Sequence, residues 1–333
     1  MIICRTPLRI SLFGGGLDYP EWFNSQPTSV LNFSLNQYTY IMLRRLKKIH
    51  NYRFRLRYFK TEEVNNYKQI KHGPYREIIK YYNLTNNPLE ITYTADLPAL
   101  SGLGSSSSST VGLINACNAY NSRLIGKKEL SQKAIMIERD ILKENVGYQD
   151  QICSAFGGLN EIYLNKNSFQ VNPILNKNII KTIDNNFYLY YTGVQRKSNK
   201  LEKNKINKIK KKIKIEKFFE LHDLTNKGIK LFKEQNLNLD KFCNLLNSSW
   251  NLKKEITPEV SSKKIDAIIN KLKSYGVKGA KLIGSGNGGY ILFVANKKII
   301  NKLKNRINNN YLIPIKCEFS GSQVIFNGNF SDT

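Results

Sequence analysis

Leu97-Pro-Ala-Leu-Ser101-Gly102-Leu103-Gly104-Ser105-Ser106-Ser107-Ser-Ser-Thr-Val-Gly112 is the stretch whose reading decides the fold. A β-rich run, Leu89 to Ala95, leads into it, and an apolar-periodic run, Val111 to Tyr120, leads out. A glycine turn that feeds a helix start leaves several amide N–H groups unpaired and pointing one way. Those amides and the positive end of the helix dipole form an anion site. Gly102 and Gly104 let the backbone approach a phosphate closely, because no Cβ intervenes. The hydroxyls of Ser105, Ser106 and Ser107 can bond a phosphate oxygen or a metal ion. The plainer alternatives are a serine-rich helix cap or a flexible linker. Serine linkers rarely sit between a strand and a helix, which favours the phosphate loop. It is not a Walker A loop, since no Lys follows Gly104.

Working outward, residues 2–13 alternate apolar and polar as a strand does and end in Phe13-Gly14-Gly15-Gly16-Leu17-Asp18-Tyr19-Pro20. Three glycines, an Asp and a Pro make a turn. That turn either merely reverses the chain or makes room for a ligand whose hydroxyls bond to Asp18. Residues 28–34, 38–46 and 51–59 read as an antiparallel meander. A short helix is predicted over 74–82, a strand over 89–95, and helices over 105–120 and 127–143.

The segment Glu138 to Gly158 carries an acid on a helix, a glycine-marked bend at Gly147, and a second acid, Asp150. The bend allows both carboxylates to face one pocket, one to ligate Mg²⁺ and the other to orient or deprotonate a nucleophile. Taken locally, ordinary surface acids are the simpler reading. Strands over 159–164 and 187–192 bracket a polar loop. Tyr191-Thr-Gly-Val-Gln-Arg196-Lys197 then places two cations after a strand end, where ligand contacts are common. A long helical region covers 197–275, with breaks near Asn236 and at Thr257-Pro258, where Thr257 is a plausible N-cap.

Gly279 to Gly289 contains GxGxxG, including Gly286 and Gly288, but a β run follows it instead of the helix that a dinucleotide fingerprint needs. The segment therefore reads as a strand, a glycine loop and a strand, with backbone available to phosphates or substrate. It is not a protein-kinase glycine loop, because HRD and DFG are absent. A helix near 297–309 and strands near 311–316 and 323–327 close the sequence. The domain boundary falls near residue 185, giving units 1–185 and 186–333.

At 333 residues with 41% apolar side chains, there is room for two domains and a substantial core. Five scattered cysteines (Cys4, Cys117, Cys153, Cys243, Cys317) read as reduced thiols of a cytoplasmic protein, and three isolated histidines (His50, His72, His222) argue against a His-based metal site. No run has the length of a membrane span, and the N-terminal residues lack the apolar stretch of a signal peptide. The formal charge of +27 raises the question of a nucleic-acid partner. The densest run, Lys197 to Lys217, mixes Lys with Ile at helical spacing without aromatics, and so reads as a solvated helix face. The charge still steers anionic small substrates inward.

Three glycine segments in this order, with Asp150 between the second and third, resemble the GHMP small-molecule kinases over nearly the whole chain. Pro7 to Tyr19 is similar to the family's first motif in its sugar-kinase form, Ser101 to Ser106 to its ATP phosphate loop, and Lys281 to Gly289 to its third motif. Leu17 and Ser101 depart from the usual Thr and Gly. The resemblance implies an α+β fold with two domains: an N-terminal domain containing a left-handed βαβ unit and a C-terminal ferredoxin-like domain, with the active site between them. It implies ATP and Mg²⁺ as cofactors and phosphorylation of the anomeric hydroxyl of a sugar phosphate. Another sugar or sugar-like alcohol is the runner-up acceptor.

By the same resemblance, backbone amides from Gly102 to Ser107 would hold the β- and γ-phosphates. Ser106 and Glu138 would hold Mg²⁺, with Ser105 and Ser107 as alternatives. Asp150 would take the acceptor's proton, and Arg9 would keep it ionised and steady the transferring phosphoryl. Gly14, Gly15, Gly16, Asp18, Gly286 and Gly288 would line the acceptor side. Apart from the resemblance, Arg196 is the candidate for the substrate's own phosphate because a guanidinium fork suits it, with a surface cation as the alternative. The rival from another class is a basic nucleic-acid-binding module that has kept the fold but has no need of Glu138 or Asp150.

Overall fold

The structure is a computed structural model, and it describes residues 1–333 except 48, 100, 167, 195–199 and 329–333. In chain order the strands are β1 (Ile2–Phe13), β2 (Thr28–Arg45), β3 (Phe54–Arg57), β4 (Thr61–Val64), β5 (Leu89–Ala95), β6 (Leu159–Leu164), β7 (Phe169–Pro173), β8 (Phe187–Tyr191), β9 (Gly279–Leu282), β10 (Tyr290–Val294), β11 (Leu312–Pro314) and β12 (Gln323–Asn327). The helices are α1 (Pro20–Phe23), α2 (Gly73–Tyr81), α3 (Ser105–Tyr120), α4 (Lys127–Ile135), α5 (Gln149–Phe156), α6 (Lys177–Asn186), α7 (Lys200–Lys210), α8 (Ile215–Leu231), α9 (Leu239–Ile256), α10 (Lys263–Ser274) and α11 (Lys297–Lys304).

An eight-stranded sheet runs β12-β1-β2-β5-β3-β4, with β6 and β7 added beside one half of β2. A four-stranded antiparallel sheet runs β11-β8-β10-β9. Counted within that sheet the order is last, first, third, second, the ferredoxin-like arrangement of a βαββαβ unit. Together they make an α+β fold.

Within the larger sheet β1 lies between β12 and β2. Its first residues alternate in burial, but from Thr6 onward every residue is buried, because α3, α5, α8 and α9 all pack on this strand. Leu8, Ile10, Leu12 and Phe13 join a core shared with Phe242 and Leu246 of α9 and with Tyr290 and Leu292 of β10. Ile2 and Cys4 join a second core with Val111, Leu113, Ile114 and Cys117 of α3. All five cysteines are free thiols, and no described helix is long and apolar enough to cross a membrane.

The predicted meander does not form. Residues 28–34 and 38–46 are one continuous strand, because the polar break between them finds partners far away. Ser34 N bonds Gly158 O at 3.0 Å, Asn36 N bonds Lys316 O at 3.1 Å, and Glu318 N bonds Ser34 O at 2.9 Å. The third strand is short and pairs in parallel with β5.

Other boundaries shift for local reasons. The loop expected before residue 187 contains β7 and α6, the latter capped by Asn176. The helix over 127–143 changes to a π-helical turn at Met136–Ile141. The long helical region has an additional break where Lys212 and Lys214 adopt left-handed φ values of 52° and 56°. Thr257 makes no side-chain cap, whereas Ser262 caps α10 through Ile265 N at 3.4 Å. The last predicted helix stops at Lys304, and β11 is shorter than expected.

Candidate active site

The serine run divides into two parts with different jobs. Gly104 takes a left-handed φ of 77° and starts α3, whose first internal bond runs from Ser108 N to Gly104 O at 2.9 Å. The amides of Ser105, Ser106 and Ser107 thus precede the helical ladder, and all three residues line a cavity of about 340 Å³. Ser108 and Ser109 instead lie in the interior, bonded to Thr39 at 2.7 Å and Tyr75 at 2.6 Å.

Backbone packing holds this loop. A Cβ on Gly102 would lie 2.6 Å from Ile283 O, and one on Gly289 would lie 2.0 Å from Ser101 O, so the second and third glycine segments touch main chain to main chain. Thr192 clamps the third through its hydroxyl to Gly289 O at 2.8 Å. β9 and β10 flank that segment as antiparallel strands, the expected hairpin.

Arg9 fastens the loop to the acid. Its Nε and Nη2 donate to Asp150 Oδ1 and Oδ2 at 2.7 and 2.5 Å, and its Nη1 donates to Gly102 O at 2.7 Å. Arg9 N also bonds Leu103 O at 3.0 Å. Asp150 stands in the first turn of α5, keeps a quarter of its side chain exposed, and opens on the same cavity.

Asp18 is buried beside it. Its two carboxylate oxygens accept from Gly16 N at 3.0 Å and Gln149 N at 3.4 Å. Burial and the Asp150 charge push its pKa up, and the two amide bonds act the other way. Gly147 is a glycine for a steric reason: a Cβ there would sit 1.8 Å from Asp18 Oδ2.

Glu138 rides on the π-helical turn, a distortion often found at functional positions. Its Oε2 accepts from Ser107 Oγ at 2.9 Å and from Gln151 Nε2. Its Oε1 is buried and makes no hydrogen bond of normal geometry among the described residues, although the Thr110 hydroxyl lies close enough to lower the carboxyl's pKa. Burial, then Glu144, pushes the carboxyl up to about 7. An orphaned buried carboxylate oxygen beside a serine hydroxyl suits a cation that draws its other ligands from phosphates and water, the habit of Mg²⁺. Among the described residues no cluster of three His, Cys, Asp or Glu offers a protein-only metal site.

Most of the expected residues meet here. Arg9, Gly15, Gly16, Asp18, Gly102, Gly104, Ser105, Ser106, Ser107 and Asp150 line the one cavity. Glu138 stands behind Ser107, not Ser106, which is exposed. Leu103 points into the apolar core. Gly14, Gly286 and Gly288 do not line the cavity: side chains there would strike Val30, Val260 and Val194. Arg196 lies outside the described residues. The room made by Gly16 is taken by Lys205, whose Cδ would be 3.2 Å from a Cβ there.

The sequence reading missed several lining residues. Ser11, Gln149 and Ser285 each bring a buried polar atom without a hydrogen-bond partner among the described residues. Ser11 and Gln149 lie within stretches singled out for other residues, so their position was a usable signal. Lys205, Lys253 and Lys281 also line the cavity. Lys205 is buried, although it belongs to the run whose pattern predicts a solvated helix face.

Residues 71–158 match the GHMP kinases N terminal domain, and residues 229–312 match the GHMP kinases C terminal domain. Over 313 residues the chain is 31% identical to the D-glycero-alpha-D-manno-heptose 7-phosphate kinase of Campylobacter jejuni, covering 87% of this chain and 88% of that enzyme. The chain belongs to the GHMP kinase family. This GHMP kinase is also 22% identical to the galactokinase of Thermotoga neapolitana, over 96% of its own length and 97% of the relative's. The fold agrees: a crystal structure of a D-glycero-D-manno-heptose 1-phosphate kinase from Bacteroides thetaiotaomicron superposes with a TM-score of 0.78 at 23% identity, covering 99% of this kinase and all of that chain.

Proposed function

We propose that this kinase transfers the γ-phosphoryl group of ATP to the anomeric hydroxyl of a sugar phosphate, and that the acceptor is D-glycero-D-manno-heptose 7-phosphate. The observation that carries the reading is Arg9, which grips Asp150 with two donors and the phosphate loop with a third. The heptose kinase that shares 31% of its residues with this chain supports the choice of acceptor.

Phosphoryl transfer asks a protein for positioning and charge neutralisation more than for covalent chemistry. In this reading the amides of Ser105 to Ser107 hold the β- and γ-phosphates at the start of α3. Asp150 orients the acceptor hydroxyl and accepts its proton. Arg9 fixes both carboxylate oxygens and sets their distance from the loop. Asp18, already held by two amides, steadies the turn that faces the acceptor, while Ser11 and Gln149 offer free polar atoms to sugar hydroxyls. Glu138 with Ser107, or Ser106 and Ser105 in a shifted register, would hold Mg²⁺, which when bound spreads the charge of the phosphate oxygens. We place the division between the two domains near residue 185 in sequence, with β12 returning to the first domain's sheet, and the five free thiols support a reducing, cytoplasmic setting.

The test is a coupled assay for ADP release over hexose and heptose phosphates, run beside Asp150→Asn. That variant should bind ATP normally and lose about 10²–10⁴-fold in kcat. Wild-type turnover in Asp150→Asn removes Asp150 from the chemistry, and preference for an unphosphorylated sugar removes the acceptor assignment.

A further inference from the structure

Three lysines from separate elements reach the cavity: Lys205 from α7, Lys253 from α9 and Lys281 from β9. Lys205 and Lys281 are buried, and Lys253 is partly so. None of the three forms an ion pair among the described residues, whereas Lys210, Lys233 and Lys278 do so at exposed positions. Lys281 Nζ donates to Leu12 O at 2.8 Å, and Lys253 Nζ donates to Gly284 O. An ammonium group has three N–H donors and no acceptor, so most of their bonding capacity is unused.

The arrangement is costly without a ligand. Burial, then the charges of Lys205 and Lys281, pushes Lys253 well down; Arg9 adds to this and Glu202 opposes it. Burial, then Lys205, pushes Lys281 down to about 7. Arg9 cannot serve as a free cation here, because Asp150 occupies it. With a neutral acceptor the lysines relieve their repulsion by losing protons, and Asp18 and Glu202 oppose it only in part, whereas a phosphate dianion would hold them charged and give them a common partner.

We propose that Lys205, Lys253 and Lys281 form the subsite for the acceptor's own phosphomonoester, apart from the amides that hold the nucleotide. The inference rests on the reading that the acceptor is a sugar phosphate. Its placement follows from Lys205, which lies against Gly16 and 5.8 Å from the Tyr19 ring, in the glycine turn that also carries Asp18. It gives the bound phosphate a site within the described fold, where the sequence had offered only Arg196.

The test uses the full chain saturated with Mg²⁺ and a non-hydrolysable ATP analogue, so that the serine loop is filled. Inorganic phosphate is then titrated in by calorimetry, with wild type, Lys205→Met, Lys253→Met and the charge-retaining Lys205→Arg. Each Met variant should weaken phosphate at least tenfold, Lys205→Arg should recover part of the loss, and steady-state KM for the phosphorylated acceptor should rise at least tenfold more than KM for ATP. Phosphate affinity within twofold of wild type in both Met variants overturns the proposal. So does a KM for ATP that rises as much as that for the acceptor, which would assign the lysines to the nucleotide. Should a Met variant fail to fold, the wild type still decides: no phosphate binding beside the bound analogue overturns it. The functional reading fails separately, if wild type turns over no sugar phosphate.

Discussion

Ser107 donates a 2.9 Å hydrogen bond to Glu138, so the third serine after Gly104 is the one that meets the buried acid. The pair ties the start of α3 to the π-helical turn, and Gln151 of α5 closes the group from a third side. The other oxygen, Glu138 Oε1, is buried without a hydrogen bond of normal geometry among the described residues, and the Thr110 hydroxyl helps to lower the carboxyl's pKa.

Glu138→Gln keeps the shape and removes the charge. It should raise the Mg²⁺ concentration needed for half-maximal rate at least tenfold; an unchanged requirement means that the metal is held elsewhere.

The three loop serines should separate in stability. Ser107→Ala leaves a buried carboxylate oxygen short of a donor and should cost about 1–3 kcal/mol. Ser106→Ala, at an exposed position, should stay within about 0.5 kcal/mol of wild type. Urea unfolding of the two variants side by side checks this.

Gly147→Ala drives a methyl group onto Asp18, at 1.8 Å from Oδ2 before any relaxation. Overpacking of this kind costs about 1–3 kcal/mol. Because the displaced carboxylate holds the Gly16 and Gln149 amides, KM for the acceptor should rise more than KM for ATP. Equal changes in both would detach Asp18 from the acceptor side.

Arg9→Lys keeps a positive charge but cannot reproduce the fork that bonds both oxygens of Asp150 and the carbonyl of Gly102. A base displaced by about 1 Å can lose about 10²-fold in rate. Steady-state kinetics of Arg9→Lys should therefore show a fall in kcat of about that size, and a fall smaller than threefold would make the fork dispensable.

Lys281 gives the folded protein a distinct pH dependence. Its ordinary value is 10.5 and burial brings it down to about 7. Between those values the unfolded chain binds the proton and the folded chain does not, so stability rises with pH, by up to about 1.4 kcal/mol per pH unit. Buried thiols such as Cys4, pushed up to about 12, act in the opposite sense, but only from about pH 9. Urea unfolding between about pH 7 and 8.5 should give a smaller slope for Lys281→Met than for wild type. Equal slopes would mean that Lys281 stays protonated throughout.

The elements that the sequence made legible are those with their own local punctuation. β5, α3, β6 and β12 have the predicted bounds because glycines, caps and polar breaks lie at their ends. β2 was read as two strands because the partners of Ser34 and Asn36 come from residues 158, 316 and 318, which no local pattern connects. Arg9, Asp18, Asp150 and the serine loop were legible as motif residues. Lys205, Lys253 and Lys281 were not: in a chain this rich in lysine, a buried ammonium looks like its solvated neighbours. Burial and packing against Gly16 distinguish Lys205 from them.

β12 pairs antiparallel with β1, Ile2 facing Asn327 and Arg5 facing Gln323. During synthesis, then, the strand bearing Arg9 is made before β2 to β11, and its outer neighbour is made after all of them. The nascent protein can gather α3 and the serine loop early, but the edge of its main sheet stays open until Gln323–Asn327 leaves the ribosome. Completion of the main sheet is therefore a late event, the closing of a seam between two strands far apart in sequence.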